Sequence, residues 1–393
     1  METGKAKRNK GRQDFTVLTV NGRVRIWRRR WHSPAEGTTA PLDAWLDILE
    51  DTISLGVREM ACRLNADGRN FDKTAANLGR TAQVHLSGET LRVLVEAEGK
   101  RVLQAQRSGR LPVGWSAADC RTEANATRLY LGSDGVMVPL VTDAEKAARR
   151  DKVKQRRRRR GKKARPLPPR RPGADQHYKE FKVVAIYDEG QEHRLVSGTR
   201  GDCEAAGRLI RREASRVRLD LADEKVGNVD GSPWIRNQVG RQGLPLDALG
   251  LDFYHLSENV HKARREVYGE DDEPGKAWAG ELLHIFKHDG YEPAWRRLLG
   301  WRVGLRHGRP AADRLINYVG ERREMIRYPE FRAKGWQIGS GPTEATCKTL
   351  TARLKGSGMR WDAANAEAIM ALEALSQSGQ WDQYWKSQLR PTA

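Results

Sequence analysis

The sequence predicts a mixed α/β protein in which a β-hairpin and a small helical domain precede a sheet with a helical insertion. Three observations predict this class. β-Rich segments follow one another between residues 126 and 198, and a helical segment at 203–218 leads to two further short strands before residue 256. Apolar residues recur at three- and four-residue spacing over 41–108 and again over 256–338.

The first element is a hairpin over residues 15–31, which read FTVLTVNGRVRIWRRRW. Asn21-Gly22 lies between two β-rich runs and favours a type I′ turn. The second run alternates Val24 and Ile26 with arginine and tryptophan, so one of its faces is basic and aromatic. Such a face suits contact with a polyanion, and it suits packing on a neighbouring domain equally well.

The second element is a helical domain that completes a predicted unit over residues 1–118. Ser87 can cap a helix that begins GETLRVLVEAEG, and the short link QVHL separates this helix from an earlier one. A short helix, a tight link and a longer capped helix are typical of a helix-turn-helix, although other three-helix domains look similar. If this is a helix-turn-helix, Arg92 is its candidate contact with a base or a phosphate.

The sheet comes next, in the first part of a predicted catalytic domain over 119–255. Three meandering strands, a helical crossover and a fourth strand predict that the fourth lies parallel to the first. Asp134 and Asp230 are each followed by glycine, and we expect each to end one of these strands. They would then be neighbours although 96 residues separate them.

A run of charge interrupts the sheet at residues 146–171, here called the basic arm. It holds 15 Lys or Arg and one acid. Repulsion between like charges and the scarcity of apolar residues predict that it is disordered when free. A solvated loop and a localisation signal are the alternatives. We favour contact with phosphates, made by the arginines and lysines at its centre: Arg156, Arg157, Arg158, Arg159, Arg160, Lys162 and Lys163.

Composition agrees with a polyanionic partner. The chain has 393 residues, a formal net charge of +20 and an isoelectric point near 10.0, and Lys and Arg that neutralise phosphates release condensed counterions. No apolar run is long enough for a membrane span or a signal peptide, so we expect no membrane partner and a cytoplasmic location. The four cysteines never form a C-x-x-C pair, which argues against a zinc ribbon.

The last segment, 339–393, carries the third acid of interest. Pro342 suits the first turn of a helix, which places Glu344 in that turn and Lys348 one turn later. A later helix, AANAEAIMALEAL, should pack on the sheet. Three carboxylates at one place repel one another, and divalent metals relieve that repulsion. Oxygen ligands with open water positions suit two Mg²⁺ or Mn²⁺ ions, which together promote phosphodiester displacement.

The blocks GSDGVMVP, VDGSPWI, DFYH and SGPTEATCKTLTARLKGSGMRW resemble the catalytic blocks of bacterial insertion-sequence transposases of the ISKra type. The resemblance covers roughly residues 125–375, and more weakly PLDAWLDI to LSGETLRVLVEAEG. It implies a DDE transposase with an RNase H-like core, in which Asp134, Asp230 and Glu344 hold the metal and 256–338 is an insertion before the Glu helix. Relatives often carry a cysteine pair after the basic hairpin, and this chain has RRRWHSPAEG there.

Further residues are candidates for DNA contact, and Lys348 is one of them. His255 belongs to a D-x-x-H pattern resembling that of Mutator-like transposases and could bond a phosphate, or it could be satisfied within the core. Arg360 could clamp a phosphate, and Trp361 could stack on a frayed base or pack in the core. We expect double-stranded DNA as partner, bound by a homodimer or larger oligomer. A metal-dependent nuclease and a non-catalytic DNA-binding protein are the alternative functions.

Overall fold

The structure is a computed structural model, and it describes residues 7–35, 37–46, 52–68, 70–161 and 166–388. The chain forms two compact units. The first combines residues 1–112, 138–178 and 350–393, and the second combines 113–137 and 179–349. Three separate stretches of chain build the first unit, and two build the second.

Eight strands occur in the described part of the chain, four of them longer than ten residues. The strands are β1 (Arg8–Thr19), β2 (Gly22–Ser33), β3 (Gly37–Thr39), β4 (Arg128–Pro139), β5 (Tyr178–Asp188), β6 (Arg194–Thr199), β7 (Glu224–Val229) and β8 (Ala248–Leu251).

The α-helices of the described residues range from one turn to twenty residues. They are α1 (Pro41–Trp45), α2 (Leu55–Ala66), α3 (Phe71–Thr81), α4 (Gly88–Arg107), α5 (Asp143–Arg159), α6 (Cys203–Arg216), α7 (Pro233–Arg241), α8 (Phe253–Tyr268), α9 (Glu273–His288), α10 (Tyr291–Gly304), α11 (Arg309–Gly320), α12 (Tyr328–Ala333), α13 (Gly341–Ala352), α14 (Ala363–Gln377) and α15 (Trp381–Gln388).

The predicted hairpin is present and longer than predicted, since β1 and β2 pair antiparallel from Arg8 onward. Thr19 pairs with Gly22, so the turn residues are Val20 and Asn21, one position before the predicted Asn21-Gly22. The side chain of Thr19 accounts for this register. Its Oγ1 donates to the carbonyl of Gly22 at 2.9 Å and accepts from the N–H of Asn21 at 3.2 Å.

Helices α2, α3 and α4 follow, and Ser87 caps α4 as predicted by accepting from the N–H of Thr90. Helix α4 packs against α14. A Cβ added at Gly99 would lie 2.5 Å from the carbonyl oxygen of Ala368, so the two helices approach closely only because residue 99 is glycine. We predicted that α14 packs on the sheet, and that prediction is wrong. Helix α14 packs on α4 in the core of the first unit.

The prediction that the basic arm is disordered is wrong for its first half, which belongs to helix α5. Thr142 and Glu145 form a capping box at the N-terminus of α5. The arginines in its last turn interact favourably with the negative end of the helix dipole. Arg150 also donates to the carbonyl oxygens of Leu167 and Pro168, so the chain beyond the helix lies against it. No residue of α5 is buried. Lys162 and Lys163 lie outside the described residues.

The second unit contains a five-stranded mixed sheet in the order β6-β5-β4-β7-β8. β5 and β6 are antiparallel, whereas β7 is parallel to both β4 and β8, as the predicted crossover requires. Leu129 and Leu131 on β4 face a core shared with α6, and Tyr130 between them faces a core with Phe331 and Trp336. Alternate side chains of one strand thus cover both faces of the sheet.

Helices α8 to α12 occupy the predicted helical segment and share one apolar core with the ends of β7 and β8. This core includes Leu256 of α8, Phe286 of α9, Leu298 of α10 and Leu315 of α11. Helix α8 begins at Phe253, a few residues before the predicted start, because Asp252 caps it. Within the described ranges, no helix is long and apolar enough to cross a membrane.

Candidate metal centre

The first two acids of the predicted triad belong to neighbouring parallel strands, Asp134 within β4 and Asp230 directly after β7. β4 and β7 pair with Arg128 opposite Glu224 and Leu131 opposite Gly227. The same register, continued three residues, brings Asp134 level with Asp230. Asp230 directly follows β7, as predicted, but Asp134 does not end a strand. It lies in the middle of β4, because β4 runs on to Pro139 beyond the end of the shorter β7.

The first turn of α13 touches β4 two residues before Asp134. A Cβ added at Gly132 would lie 1.8 Å from Oγ1 of Thr343, so only glycine permits this approach. Glu344 follows Thr343 and is in the first turn of α13, as predicted. Its side chain is half exposed, with a relative exposure of 51%. The third acid therefore lies at the same region of the sheet as Asp134, with its carboxylate open to solvent.

A fourth acid, Asp252, is fully buried directly after β8. Its Oδ1 accepts from the N–H of Tyr254 at 2.5 Å, and its Oδ2 accepts from the N–H of Ser340 at 2.9 Å. The hydroxyl of Ser340 also contacts Oδ2. These bonds satisfy the buried charge and tie the start of α8 to the residue that precedes α13.

Ser340 and His255 connect this buried acid to Glu344. Oγ of Ser340 lies 3.2 Å from Oε1 of Glu344, and Nε2 of His255 lies 3.8 Å from the same oxygen. Nδ1 of His255 lies 3.4 Å from Glu258. Because the Ser340 hydroxyl has one proton for two carboxylates, it can donate to only one of them at a time. Glu344 consequently keeps lone pairs that a cation can use.

The electrostatics of Asp134 also favour a bound cation. Burial raises the pKa of Asp134 above its usual range, and the negative charges of Asp230 and Glu180 raise it further. The N–H of Gly135 and the nearby His255 act in the opposite direction. The charges of Asp230 and His255 therefore both act on the carboxyl group of Asp134, in opposite directions.

These oxygen-rich side chains fit a hard divalent cation such as Mg²⁺ or Mn²⁺. Among the described residues, the group near Glu344 whose ligand atoms all lie within 4.8 Å of one another is Asp252, His255 and Glu344. We predicted a different set, with Asp134 and Asp230 beside Glu344. Sequence reasoning noted Asp252 only as part of D-x-x-H. Its position directly after a strand and before a helix is the signal that could have identified it.

A second group of this kind consists of Cys120, Asp188 and His193. Asp188 accepts from the backbone N–H of His193 at 3.1 Å and lies 3.0 Å from its Nδ1, so the pair closes the turn between β5 and β6. Burial raises the pKa of Cys120 to about 12, which disfavours a thiolate ligand. This group is accounted for by the fold.

The predicted DNA contacts divide into exposed and internally paired residues. Arg156, Arg158, Arg159 and Arg160 are exposed on and after α5, and Arg157 is partly exposed. Lys348 is exposed on α13. Two predicted contacts already pair with acids of their own unit: Arg92 bonds Glu89 and Glu96, and Arg360 bonds Glu145.

The burial of Trp361 decides between its two predicted roles. The prediction offered stacking on a frayed base or core packing, and the side chain is 4% exposed, which excludes the first for this conformation. Its Nε1 donates to the carbonyl of Leu354 at 3.1 Å, and its ring meets Phe71 edge-on. Core packing of the first unit is therefore what Trp361 provides.

Comparison with known proteins adds little to this geometry. No protein-family model matches the chain, and no curated protein matches it either. Among solved structures, one described as "Drosophila P element transposase strand transfer complex" is similar over 88% of this chain and 85% of that chain, with 10% sequence identity and a TM-score of 0.28. A TM-score this low carries no inference. The fold and site define a mixed α/β protein with an acidic candidate metal centre.

Proposed function

We propose that this protein is a DNA transposase that cuts and joins DNA by metal-dependent phosphoryl transfer at Asp134, Asp230 and Glu344. The observation that supports the proposal is the parallel pairing of β4 with β7, whose register, extended three residues beyond its last pair, would bring Asp134 level with Asp230. Two carboxylates at this place, one on β4 and one directly after β7, beside a helix that carries a third, suit a site for paired divalent ions. The mixed sheet with its helical insertion is consistent with an RNase H-like core of the DDE class.

Each side chain of the site has a part in this proposal. Asp134, Asp230 and Glu344 would hold Mg²⁺ or Mn²⁺, which when bound supply activation of the attacking oxygen and neutralise charge on the leaving oxygen. Asp252 acts as a positioning residue, because both of its oxygens already accept hydrogen bonds. His255, partly exposed beside Glu344, is placed to donate a hydrogen bond to a phosphate oxygen when protonated.

The substrate in this proposal is double-stranded DNA, bound by a homodimer or larger oligomer. The net charge of +20 and the exposed arginines of α5 support a polyanionic ligand. A water molecule would nick the DNA at the end of the transposable element, the DNA segment that a transposase moves. The resulting 3′-hydroxyl would then attack target DNA. The first step breaks one phosphodiester by hydrolysis, and the second exchanges one phosphodiester for another without an external energy source.

A metal-dependent nuclease would use the same residues for the first step alone. The two functions differ in whether a 3′-hydroxyl end is joined to a second duplex. The decisive assay therefore follows a labelled duplex carrying the element end, with Mg²⁺ or Mn²⁺ and an unlabelled target, and scores nicked and joined products separately.

In this assay Asp134→Asn, Asp230→Asn and Glu344→Gln should each reduce nicking and joining by more than about a hundredfold, beyond the range typical of a lost outer-shell partner. Each change keeps side-chain size and removes one charged ligand. Glu281→Gln, which neutralises an exposed acid on α9, is the matched control and should cut at the parent rate. A triad variant that cuts at near the parent rate would show that its residue does not hold metal.

A further inference from the structure

Arg353 is a buried cation without an anionic partner. It lies in the first unit just after α13, and its relative exposure is 5%. In the part of the chain that the structure describes, no carboxylate pairs with it, whereas the buried Arg58 and Arg128 each bond an acid. The buried Arg264 resembles Arg353 in bonding neutral oxygens, the carbonyls of Gly269 and Glu270. Burial of an unpaired charge costs free energy, which a bound anion offsets.

Neutral groups hold the Arg353 guanidinium in place. Nε donates to the carbonyl oxygen of Asn65 and Nη2 to its Oδ1, both at 3.2 Å. The guanidinium carbon lies 4.7 Å from the centre of the Phe71 ring and 5.2 Å from that of Trp361. Burial lowers the pKa of Arg353 to about 10, so the group remains charged at neutral pH. The contacts orient the cation and leave its charge uncompensated.

Arg353 lines a cavity of 640 Å³ in the same unit. The remaining lining is mostly small and polar and includes the cation Lys73, Asn70 and the Gly356-Ser357 turn. Asp67 is the one acid among the lining residues. The cavity is thus large enough for a phosphate group with its ester substituents, and it carries two cations against one acid.

A neighbouring cavity provides an internal comparison. It measures 400 Å³, shares Met359 with the first, and contains the cations Arg92, Lys146, Arg149 and Arg360. Three of them pair with acids: Arg92 with Glu96, Lys146 with Asp362 and Arg360 with Glu145. Arg149 is exposed to solvent, which screens its charge. Arg353 differs from all four because it combines burial with the lack of an acidic partner among the described residues.

We infer that the cavity lined by Arg353 and Lys73 is a binding site for a phosphate group, which Arg353 contacts from inside the protein and Lys73 from its rim. Guanidinium groups suit phosphate oxygens because their N–H donors form a planar fork. Identification of this phosphate as part of a DNA backbone rests on the proposed function. The binding site itself does not, because it follows from the burial and charge of Arg353.

The first test uses the full chain without divalent metal and measures its thermal unfolding with inorganic phosphate, against sodium chloride of equal ionic strength. Phosphate at about five times its dissociation constant should raise the melting temperature of the parent by roughly 2–4 °C. Arg353→Met and Lys73→Ala should each lose most of this rise. Lys73 is exposed, so its variant remains informative if the first fails to fold. Lys386→Ala, an exposed cation on α15, is the control.

The second test measures duplex binding against salt, again without metal and hence without cleavage. If the phosphate belongs to DNA, Arg353→Met and Lys73→Ala should each weaken the salt dependence, so that the negative slope of log affinity against log salt becomes shallower by up to about 0.9. A phosphate effect that needs Arg353, with an unchanged DNA slope, would assign the cavity to a free phosphate compound and remove DNA as its source. Equal stabilisation of parent and both variants would overturn the site. Neither readout depends on Asp134, Asp230 or Glu344, so failure here is distinct from failure of the proposed function.

Discussion

Oδ2 of Asp252 accepts the backbone N–H of Ser340 at 2.9 Å, across 88 residues of sequence. The carbonyl of Ser340 in turn accepts the N–H of Glu344 at 3.0 Å, and its hydroxyl reaches the Glu344 carboxylate. A buried acid at the end of β8 thereby determines where the exposed acid of α13 can lie. Asp252 and Ser340 thus position Glu344 of the candidate metal centre through hydrogen bonds.

Ser340→Ala should reduce nicking by about 10- to 100-fold, the range for loss of a group that orients a metal ligand. The Mn²⁺ concentration needed for half-maximal rate should rise, because Glu344 is less well held. Excess Mn²⁺ should partly restore the rate of this variant and should not restore Glu344→Gln. Ser387→Ala on α15 is the control. An unchanged metal requirement in Ser340→Ala would remove Ser340 from this role.

Gly132→Ala should destabilise the protein by about 1–3 kcal/mol, as expected for an extra methyl group in a packed site. The added Cβ would overlap Oγ1 of Thr343. Thr343→Ala removes that atom, so the double variant should recover part of the loss, and a double-mutant cycle from urea unfolding measures the coupling. Additive effects would mean that β4 and α13 do not meet at these residues.

Gly99→Ala should also lower stability by about 1–3 kcal/mol, because its Cβ would meet the backbone of α14. Gly280 on α9 is the matched control: a Cβ there meets nothing within 4 Å. Gly280→Ala should instead raise stability by about 0.5–1 kcal/mol through helix propensity. The same sign of change in both variants, measured by urea unfolding, would contradict the close approach of α4 and α14.

Replacement of Arg156, Arg158 and Arg159 by glutamine should weaken binding to all duplex sequences alike. The negative slope of log affinity against log salt should become shallower by up to about 2.7, or about 0.9 for each phosphate that is no longer neutralised. Glutamine also favours helix, so α5 should persist in the circular dichroism spectrum.

Charge removal elsewhere gives the control for this prediction. Arg208, Arg241 and Arg314 are exposed cations of the second unit, and their triple glutamine variant removes the same net charge. If both triple variants lower the slope equally, the effect reflects net charge and α5 has no special contact with DNA.

Local patterns were sufficient to predict the sheet and the helical segments, because strand alternation, caps and helical spacing act over a few residues. Ser87 and Pro342 illustrate this, since Ser87 caps α4 and Pro342 lies in the first turn of α13, as predicted. Within the site, a preceding β-strand and a following glycine led us to expect that Asp134 and Asp230 are neighbours. Their roles as metal ligands remain predictions.

Features that depend on distant partners could not be predicted in this way. The periodicity of α14 shows an apolar helix but not that Gly99 lets it pack on α4. The charge run of α5 predicts repulsion, whereas the capping box that favours the helix lies at its other end, in Thr142 and Glu145. The bonds of Asp252 come from Ser340, 88 residues away. Each outcome is set by packing or hydrogen bonding that sequence spacing does not contain.

The packing of α14 on α4 also has a consequence for synthesis on the ribosome. Residues Leu94, Val95 and Val102 of α4 are buried in the finished protein, while α14 begins only at Ala363. At about 5–20 residues per second, translation of the intervening chain takes roughly 10–50 s. Helices α2 and α3 also pack on α4 and are made before it, so for that time only the side of α4 that faces α14 remains uncovered. This side makes the nascent chain suited to a chaperone that binds exposed apolar helices.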